Sequence, residues 1–428
     1  MTDAHVLDDL EARGLLQDCT DRTGLAQRLV EGPMSLYYGC DPTADSLHVG
    51  NLLGLLVLRR FQDAGHRPVA LAGGATGMVG DPGGRSEERN LLDEGTLARN
   101  VAAIKVQISR IVDLSEGPGG GQLVDNLEWT GEMRLLDFLR DVGKHATVNT
   151  MVARDSVKNR LASEHGISFT EFSYMLLQAH DFLRLEQDHG VQLQVGGSDQ
   201  WGNMLSGVDL IRRVVARPAW VLAWPLLTAA DGTKLGKTTG ARIWLDPERT
   251  SPYQFFQHWM GTSDHQVRQF LLQFTLLPVG EVGDVMAAHD AEPQKRGAQR
   301  LLAREATTLV HGPADSAAAE AASTILFGAD PTGASPAVLA TVGREVAAVR
   351  RPHTDFGPGV DLVDLLADAS VLAASRGEAR RAITQGGVYV NGHRAEPGRL
   401  VTADDLLHGR FVLLRRGKKA YALVEAIP

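Results

Sequence analysis

Up to about residue 225 the chain alternates short apolar stretches with longer helix-like ones, and this alternation limits its fold more than any other feature. Met34–Tyr38, Pro68–Leu71, Gln122–Asp125 and Val191–Val195 have the length of strands, and helical sequence follows each. Strands separated by helices pair in parallel, because the helix is what carries the chain back across the sheet. The expectation is an α/β domain over residues 1–225 with a largely parallel sheet, binding its ligands at the carboxyl ends of the strands. A chain of 428 residues exceeds one hydrophobic core, so more domains are expected. Helix formers dominate 251–326, which reads as a helical domain. GADPTGASP and DFGPG mark 327–360 as a linker. Residues 361–428 read as a small α+β domain, with an arginine-bearing helix near Ser375–Gln385 and strand-like FVLLRR and AYALVEA. Asn391-Gly392, after an alternating run, signals a hairpin turn.

Composition narrows the functional class. With 43% apolar and 22% charged residues the chain is ordinary for a globular protein. Cys19 and Cys40 cannot make a disulfide framework, and no His/Cys spacing suggests a metal site. The acidic start, MTDAHVLDDLEARG, lacks the basic and apolar regions of a signal peptide, and no apolar run nears the roughly 18 residues of a spanning helix. A cytosolic protein is expected. Net charge is −9, which argues against a nucleic-acid partner until its distribution is considered. From Arg376 to Pro428 there are 10 Lys/Arg against 5 Asp/Glu, or +5, and the remainder carries 33 against 47, or −14. A basic tail on an acidic body suggests that a polyanion docks at one end.

Four constellations carry chemistry. In YYGCDPTADSLHVGN, Tyr37 to Asn51, a strand ends and His48 opens an apolar helix whose N–H groups and dipole suit phosphate. Gly50 would let a flat group such as adenine approach the backbone. The segment also reads as an ordinary helix cap. DGTKLGKTTG places Lys234 and Lys237 in a stretch too rich in Gly and Thr for a stable helix, where two ammonium groups suit a leaving pyrophosphate. A solvated surface loop is the plainer reading. In FTEFSYMLLQAHDFLRL, Tyr174, Gln178 and Asp181 fall within about 60° of one another on a helix. Phe172, Met175, Leu176, Ala179, Phe182 and Leu183 take the other side. QVGGSDQWGN, Gln194 to Asn203, sets adjacent glycines at a strand end and puts Asp199 where a carboxylate meets a ribose hydroxyl. Ser198 or Asp199 as a helix cap explains it equally well.

Taken in order, the four segments resemble class I aminoacyl-tRNA synthetases. His48-Val49-Gly50-Asn51 is similar to the class signature His-Ile-Gly-His, and Lys234-Leu235-Gly236-Lys237-Thr238 to the Lys-Met-Ser-Lys-Ser loop. GGSDQWGN, YMLLQAHDFLRL and YYGCDPTADSLH narrow the resemblance to bacterial-type tyrosyl-tRNA synthetases, and LRDVGKH, GISFTEFSY and TSPYQF extend it. The resemblance implies a Rossmann-like catalytic domain, a catalytic loop within 226–250, an anticodon-side helical domain and an S4-like RNA-binding tail. It implies ATP with Mg²⁺, L-tyrosine and tRNA(Tyr) as ligands, and a homodimer. Tyr37 and Asp181 would hold the phenolic hydroxyl, Asp81, Tyr174 and Gln178 the ammonium, and Gln200 the carboxylate end. Gly39, Asp41, Gly50, Gly197 and Asp199 would contact substrate and adenosine, with Asp199 on the ribose. Thr43 and His48, with Asn51 completing the signature, would stabilise the phosphates. Lys234, Lys237 and Thr238 would clamp pyrophosphate, helped by Arg85 and Arg89. In SRGEARRAITQGGVYVNGHR and the following strands, Arg376, Arg380, Arg381, Arg415, Arg416, Lys418 and Lys419 would meet RNA phosphates.

Asn51 departs from the signature but keeps a hydrogen-bond donor, while Gly236 and Thr238 replace loop serines. Tyr38, Cys40 and His180 receive no role. Rival readings are a small-molecule adenylyl or nucleotidyl transferase, which needs no basic tail, and a non-catalytic RNA-binding protein, which needs no His48, Lys234 or Asp199. Tryptophan is a nearer rival substrate, but the Tyr37/Asp181 pair suits a phenol better than an indole.

Overall fold

The computed structural model describes residues 6–82, 92–117, 119–162, 166–227, 242–369 and 372–428. They form two compact units, Met1–Thr250 with Gly261–Val310, and Ser251–Met260 with His311–Pro428.

The first unit is built on a six-stranded sheet: β1 (Asp18–Cys19), β2 (Ser35–Cys40), β3 (Arg67–Ala72), β4 (Gln122–Asp125), β5 (Val191–Gly197) and β6 (Trp220–Trp224), in the order β1-β6-β5-β2-β3-β4. Pairing is parallel throughout except at β1, which runs against β6. The α/β expectation therefore holds. Two strands reach further than the apolar pattern suggests. β2 runs on through Gly39 and Cys40 because Leu71 and Ala72 of β3 continue the ladder, and β5 takes in Gly196 and Gly197 opposite Ala223 and Trp224. The pattern missed β6 because all five residues of WVLAW are buried, leaving no alternation to read.

The helix Val49–Asp63 follows β2 and is buried almost all round, from Leu52 to Leu58 and again at Phe61, as a helix enclosed by neighbours must be. The helix Phe169–His189 starts on a Ser168 cap and stops at Gly190, in the left-handed region at φ 63°. Of the apolar side read from sequence, Met175, Ala179, Phe182 and Leu183 are buried and Phe172 and Leu176 half-buried, while Tyr174 and Asp181 of the other side are buried as well.

In the second unit β7 (Ala347–Pro352), β9 (Val388–Val390), β10 (His393–Arg394), β12 (Phe411–Arg416) and β13 (Ala420–Ile427) form a sheet in the order β10-β9-β12-β13-β7, while β8 (Val360–Asp361) pairs with β11 (Leu400–Val401). Val388, Val390, Val412, Leu414, Ala422 and Val424 cluster with residues of the helices Leu362–Asp368 and Arg376–Thr384. Phe411, Leu413, Tyr421 and Leu423, alternate residues of the same strands, cluster with Val338, Leu339 and Val342 of the helix Pro336–Glu345. Asn391 (φ 48°) and Gly392 (φ 85°) make the β9–β10 turn, both in the left-handed region that a type I′ hairpin requires.

The stretch 327–360, expected as a linker, contains the helix Pro336–Glu345 and β7. GADPTGASP ends in Ser335-Pro336, which is a capping serine followed by proline at the first helical position: a helix start as well as loop chemistry. The helical run from Ser251 divides between the units, with Pro252–Met260 and Pro313–Leu326 in the second.

Candidate active site

β2 and β5 lie side by side, yet the sheet grows from β2 toward β3 and from β5 toward β6. Where strand order diverges in this way, a crevice opens beyond the carboxyl ends. A cavity of about 350 Å³ lies there, lined by Gly39, Cys40 and Asp41 on one side of the junction and Gly196, Gly197 and Asp199 on the other. Every described residue expected to bind tyrosine or ATP lines it: Tyr37, Gly39, Asp41, Thr43, His48, Gly50, Asn51, Asp81, Tyr174, Gln178, Asp181, Gly197, Asp199 and Gln200. Lys234, Lys237, Thr238, Arg85 and Arg89 fall outside the described residues.

Tyr37 is 2% exposed, and its hydroxyl has no hydrogen-bond partner among the described residues. Its ring leans on Phe182 at 5.3 Å. Burial, reinforced by the Asp181 carboxylate, pushes the phenol well above its usual range, so it stays a donor. Asp181 is equally buried and accepts from Trp129 Nε1 at 2.8 Å and Asn126 Nδ2 at 2.9 Å. Burial pushes its carboxyl up to about 7, against the two hydrogen bonds and with a smaller push from Asp41 and Asp125. The Asn126 amide also reaches Thr76 Oγ1 at 3.0 Å, Thr76 donates to Asp41 Oδ1 at 2.8 Å, and Tyr174 donates to Asp41 Oδ2 at 2.8 Å. One hydrogen-bonded chain thus joins Asp181 to Asp41 through Asn126 and Thr76. Gln200 donates to Asp81 at 2.6 Å, and the buried Oε1 atoms of Gln178 and Gln194 have no partner among the described residues. A buried unpaired acceptor beside a cavity is costly unless a ligand meets it.

At the Val49–Asp63 helix, His48 is the N-cap: its Nδ1 accepts from Gly50 N at 3.0 Å. An accepting Nδ1 puts the ring proton on Nε2. Asn51 completes a capping box through its carbonyl, which accepts from His48 N at 3.1 Å, while its amide faces Cys40 Sγ at 3.9 Å. The carbonyl therefore matters as much as the donor expected from sequence. A Cβ on Gly50 would lie 2.8 Å from His48 Cε1, so this glycine makes room for the imidazole itself. The segment after 241 is stitched to the same place: Val49 N donates to Ile243 O at 3.1 Å and Leu245 N to Leu47 O at 2.8 Å.

The three residues left without a role now have surroundings. Tyr38 lines the cavity, with Trp224 at 5.6 Å and its ring over Gly54, where a Cβ would lie 2.3 Å from Cζ. Gly54→Ala should therefore cost about 1–3 kcal/mol of stability by overpacking, read as a lower denaturant midpoint; an unchanged midpoint would mean that the ring moves freely. Burial pushes the Cys40 thiol up to about 12. His180 is a core residue, set edge-on to Phe138 at 6.4 Å and kept neutral by burial, which lowers it to about 4. Sequence reasoning missed Asn126, Trp129, Thr76 and Gln194. The available signal was position: Asn126 directly follows β4, at the end of the sheet where ligands bind.

In the second unit Arg376 pairs with Asp364 at 2.5 Å, and Arg416 pairs with Glu378 and donates to Leu372 O, both at 2.6 Å. These two cations already meet a partner. Arg415 stacks over Tyr389 at 4.0 Å. Arg380, Arg381, Lys418 and Lys419 are exposed.

Comparison with known proteins extends the geometry. Residues 29–328 match a family described as tRNA synthetases class I (W and Y), and residues 347–424 match a tyrosine--tRNA ligase SYY-like C-terminal domain. A tyrosine--tRNA ligase of Opitutus terrae is 51% identical over 99% of this chain and 100% of its own length. That of Mycobacterium tuberculosis is 49% identical over 99% of both chains. Among solved structures, a C-terminally truncated mitochondrial tyrosyl-tRNA synthetase of Aspergillus nidulans superposes with a TM-score of 0.69 at 32% identity, over 76% of this chain and 94% of that one. A tryptophanyl-tRNA synthetase of Encephalitozoon cuniculi shares the fold at 14% identity, with a TM-score of 0.54 over 72% of this chain and 86% of that one.

Proposed function

The chain belongs to the tyrosine--tRNA ligases, class I tRNA synthetases that charge tRNA(Tyr) with tyrosine using ATP, and on that premise we propose how its side chains divide the work. The buried, unpartnered hydroxyl of Tyr37 beside the Asp181 carboxylate carries the assignment. A phenolic hydroxyl between them donates to Asp181 and accepts from Tyr37, and phenylalanine would leave both unpaired. Asp81, Tyr174 and Gln178 take the ammonium group, with Gln200 at the carboxylate end. Gly39, Asp41, Gly50, Gly197 and Asp199 take the nucleotide, with Asp199 on its ribose.

The tyrosine carboxylate attacks the α-phosphorus, the bond to the β-phosphate oxygen breaks, and pyrophosphate leaves with that electron pair. A carboxylate needs no general base, so positioning and charge stabilisation carry the rate. Thr43 and the Nε2–H of His48, held by Asn51, donate to the phosphates. Lys234, Lys237 and Thr238 clamp the leaving pyrophosphate, with Arg85 and Arg89 as helpers. ATP enters with Mg²⁺ on its polyphosphate, the chemistry such chains require.

The loop within 226–250 serves this step, the helical run 251–326 the anticodon side and the S4-like part 361–428 the RNA. There Arg380, Arg381, Arg415, Lys418 and Lys419 meet phosphates, with Arg376 and Arg416 doubling as ties within the fold. A homodimer is supported by apolar side chains left exposed within 135–169, among them Leu136 at 75% and Phe169 at 77%. Sedimentation should give twice the chain mass, and Leu136→Asp with Phe169→Asp should shift it toward the monomer; an unshifted dimer would place the interface elsewhere. Its location is proposed to be the cytoplasm, where its tRNA is used. Among the described residues no helix is long and apolar enough to cross a membrane.

Tyrosine-dependent exchange of labelled pyrophosphate into ATP, without tRNA and with phenylalanine and tryptophan as controls, tests the reading. Exchange with tyrosine alone is expected. Exchange driven by tryptophan would reassign the pocket, and none with any of the three would remove the activation step.

A further inference from the structure

The described walls of the cavity hold four carboxylates, Asp41, Asp81, Asp181 and Asp199, and one Lys or Arg, which is Arg242. A triphosphate brings several negative charges into that space, so a cation among the walls has a large effect on where the phosphates settle. Arg242 is held through its neighbour Trp244. Its guanidinium carbon lies 5.0 Å from the centre of the Trp244 ring, within cation–π range. Trp244 in turn forms an antiparallel bridge with His48, flanked by the hydrogen bonds of Ile243 to Val49 and of Leu245 to Leu47. The arginine is therefore anchored, through one indole and one short ladder, to the segment that opens the Val49–Asp63 helix.

Its neighbour Arg249 provides a contrast. Arg249 also lies over Trp244, at 4.9 Å, but it pairs with Asp45 at 2.5 Å, and it is not among the residues lining the cavity. Arg242 has no carboxylate partner among the described residues. Two arginines share one indole; one is neutralised by the fold, and the other is left with its charge at the cavity.

Resting on the reading of the cavity as an ATP site, we propose that Arg242 binds the β- and γ-phosphates of ATP and stabilises the departing pyrophosphate, acting beside His48. The planar guanidinium offers paired N–H donors that match two phosphate oxygens, and the Trp244 ring favours its position over the indole before the nucleotide arrives. As the bond from the α-phosphorus to the bridging oxygen breaks, the electron pair moves onto pyrophosphate, and an arginine already in contact gains most at that point. The same contact works in reverse, when pyrophosphate attacks the tyrosyl-adenylate.

The test uses the full chain and the tyrosine-dependent exchange assay. Arg242→Gln is expected to lower the exchange rate by about 10–10² and to raise KM for both ATP and pyrophosphate, with KM for tyrosine unchanged. Arg242→Lys, which keeps the charge but loses the fork, should fall between the two. Inorganic tripolyphosphate, used as a probe, should inhibit the parent more strongly than Arg242→Gln. Tyrosine binding by fluorescence titration shows that each variant is folded, and if Arg242→Gln fails that check, Arg242→Lys decides. Unchanged KM for ATP and pyrophosphate in a folded variant overturns the proposal while leaving the parent's activation of tyrosine standing. A parent that does not exchange at all removes the reading beneath it instead.

Discussion

Asp181→Asn is expected to cut kcat/KM for tyrosine by about 10²–10³. The asparagine removes a charged acceptor, which is worth about 1.5–3 kcal/mol. Its amide must also turn a donor toward either Asn126 Nδ2 or Trp129 Nε1, both of which already donate to Asp181. Tyr37→Phe removes only a neutral hydroxyl and should cost less, about fivefold. The carboxyl also sets a pH dependence. With burial raising it to about 7, affinity for tyrosine should improve as pH rises to 7 and level off above, because the ionised form accepts the phenolic proton. For stability the sign is opposite. The folded state holds this proton more tightly than the unfolded chain, so the contribution is full below about 4 and is lost as pH rises through about 7. Asp181→Asn should abolish both trends. KM for tyrosine measured across pH 5.5–8.5 decides: a flat parental profile would mean that the carboxyl is ionised throughout.

The second large effect belongs to His48. On the proposed role of the imidazole as a donor to the phosphates, His48→Ala should lower kcat for adenylate formation by about 10²–10³ with KM for tyrosine unchanged. It also strips a helix cap worth about 1 kcal/mol. His48→Asn keeps the cap, because its carbonyl can still accept from Gly50 N, but carries its N–H donor on a shorter side chain. Stability near the parent's with slow turnover is expected of it. Parental turnover by His48→Asn would show that a cap and an amide donor suffice and that the imidazole itself is not needed.

What sequence could and could not reveal follows from the range of each interaction. Tyr174, Gln178 and Asp181 were legible because helix periodicity is local. β2 and β5 were legible in outline because strands are short apolar runs. Their last residues were not, since a strand's end depends on its neighbour across the sheet, as Gly39 depends on Leu71. Asn126 and Trp129 stand more than fifty positions from the carboxylate they hold, and no local pattern connects them to it. Asn51 was visible as a departure from a signature, but which of its amide atoms mattered became clear only from the capping box. Arg242 escaped because its meaning depends on which neighbouring cations the fold neutralises.

The parallel pairing of β7 with β13 has a consequence for synthesis. Ala347–Pro352 lies beside Ala422–Ile427, so the edge strand of the second sheet pairs with a strand that is made 75 residues later (422 − 347). At ribosomal speed the interval between them is on the order of several seconds, during which β7 has been translated without its partner. The α/β unit, whose strands are complete by Trp224, can fold in that time. Truncation before Ala420 should therefore leave β7 without its partner and make the newborn chain prone to aggregate.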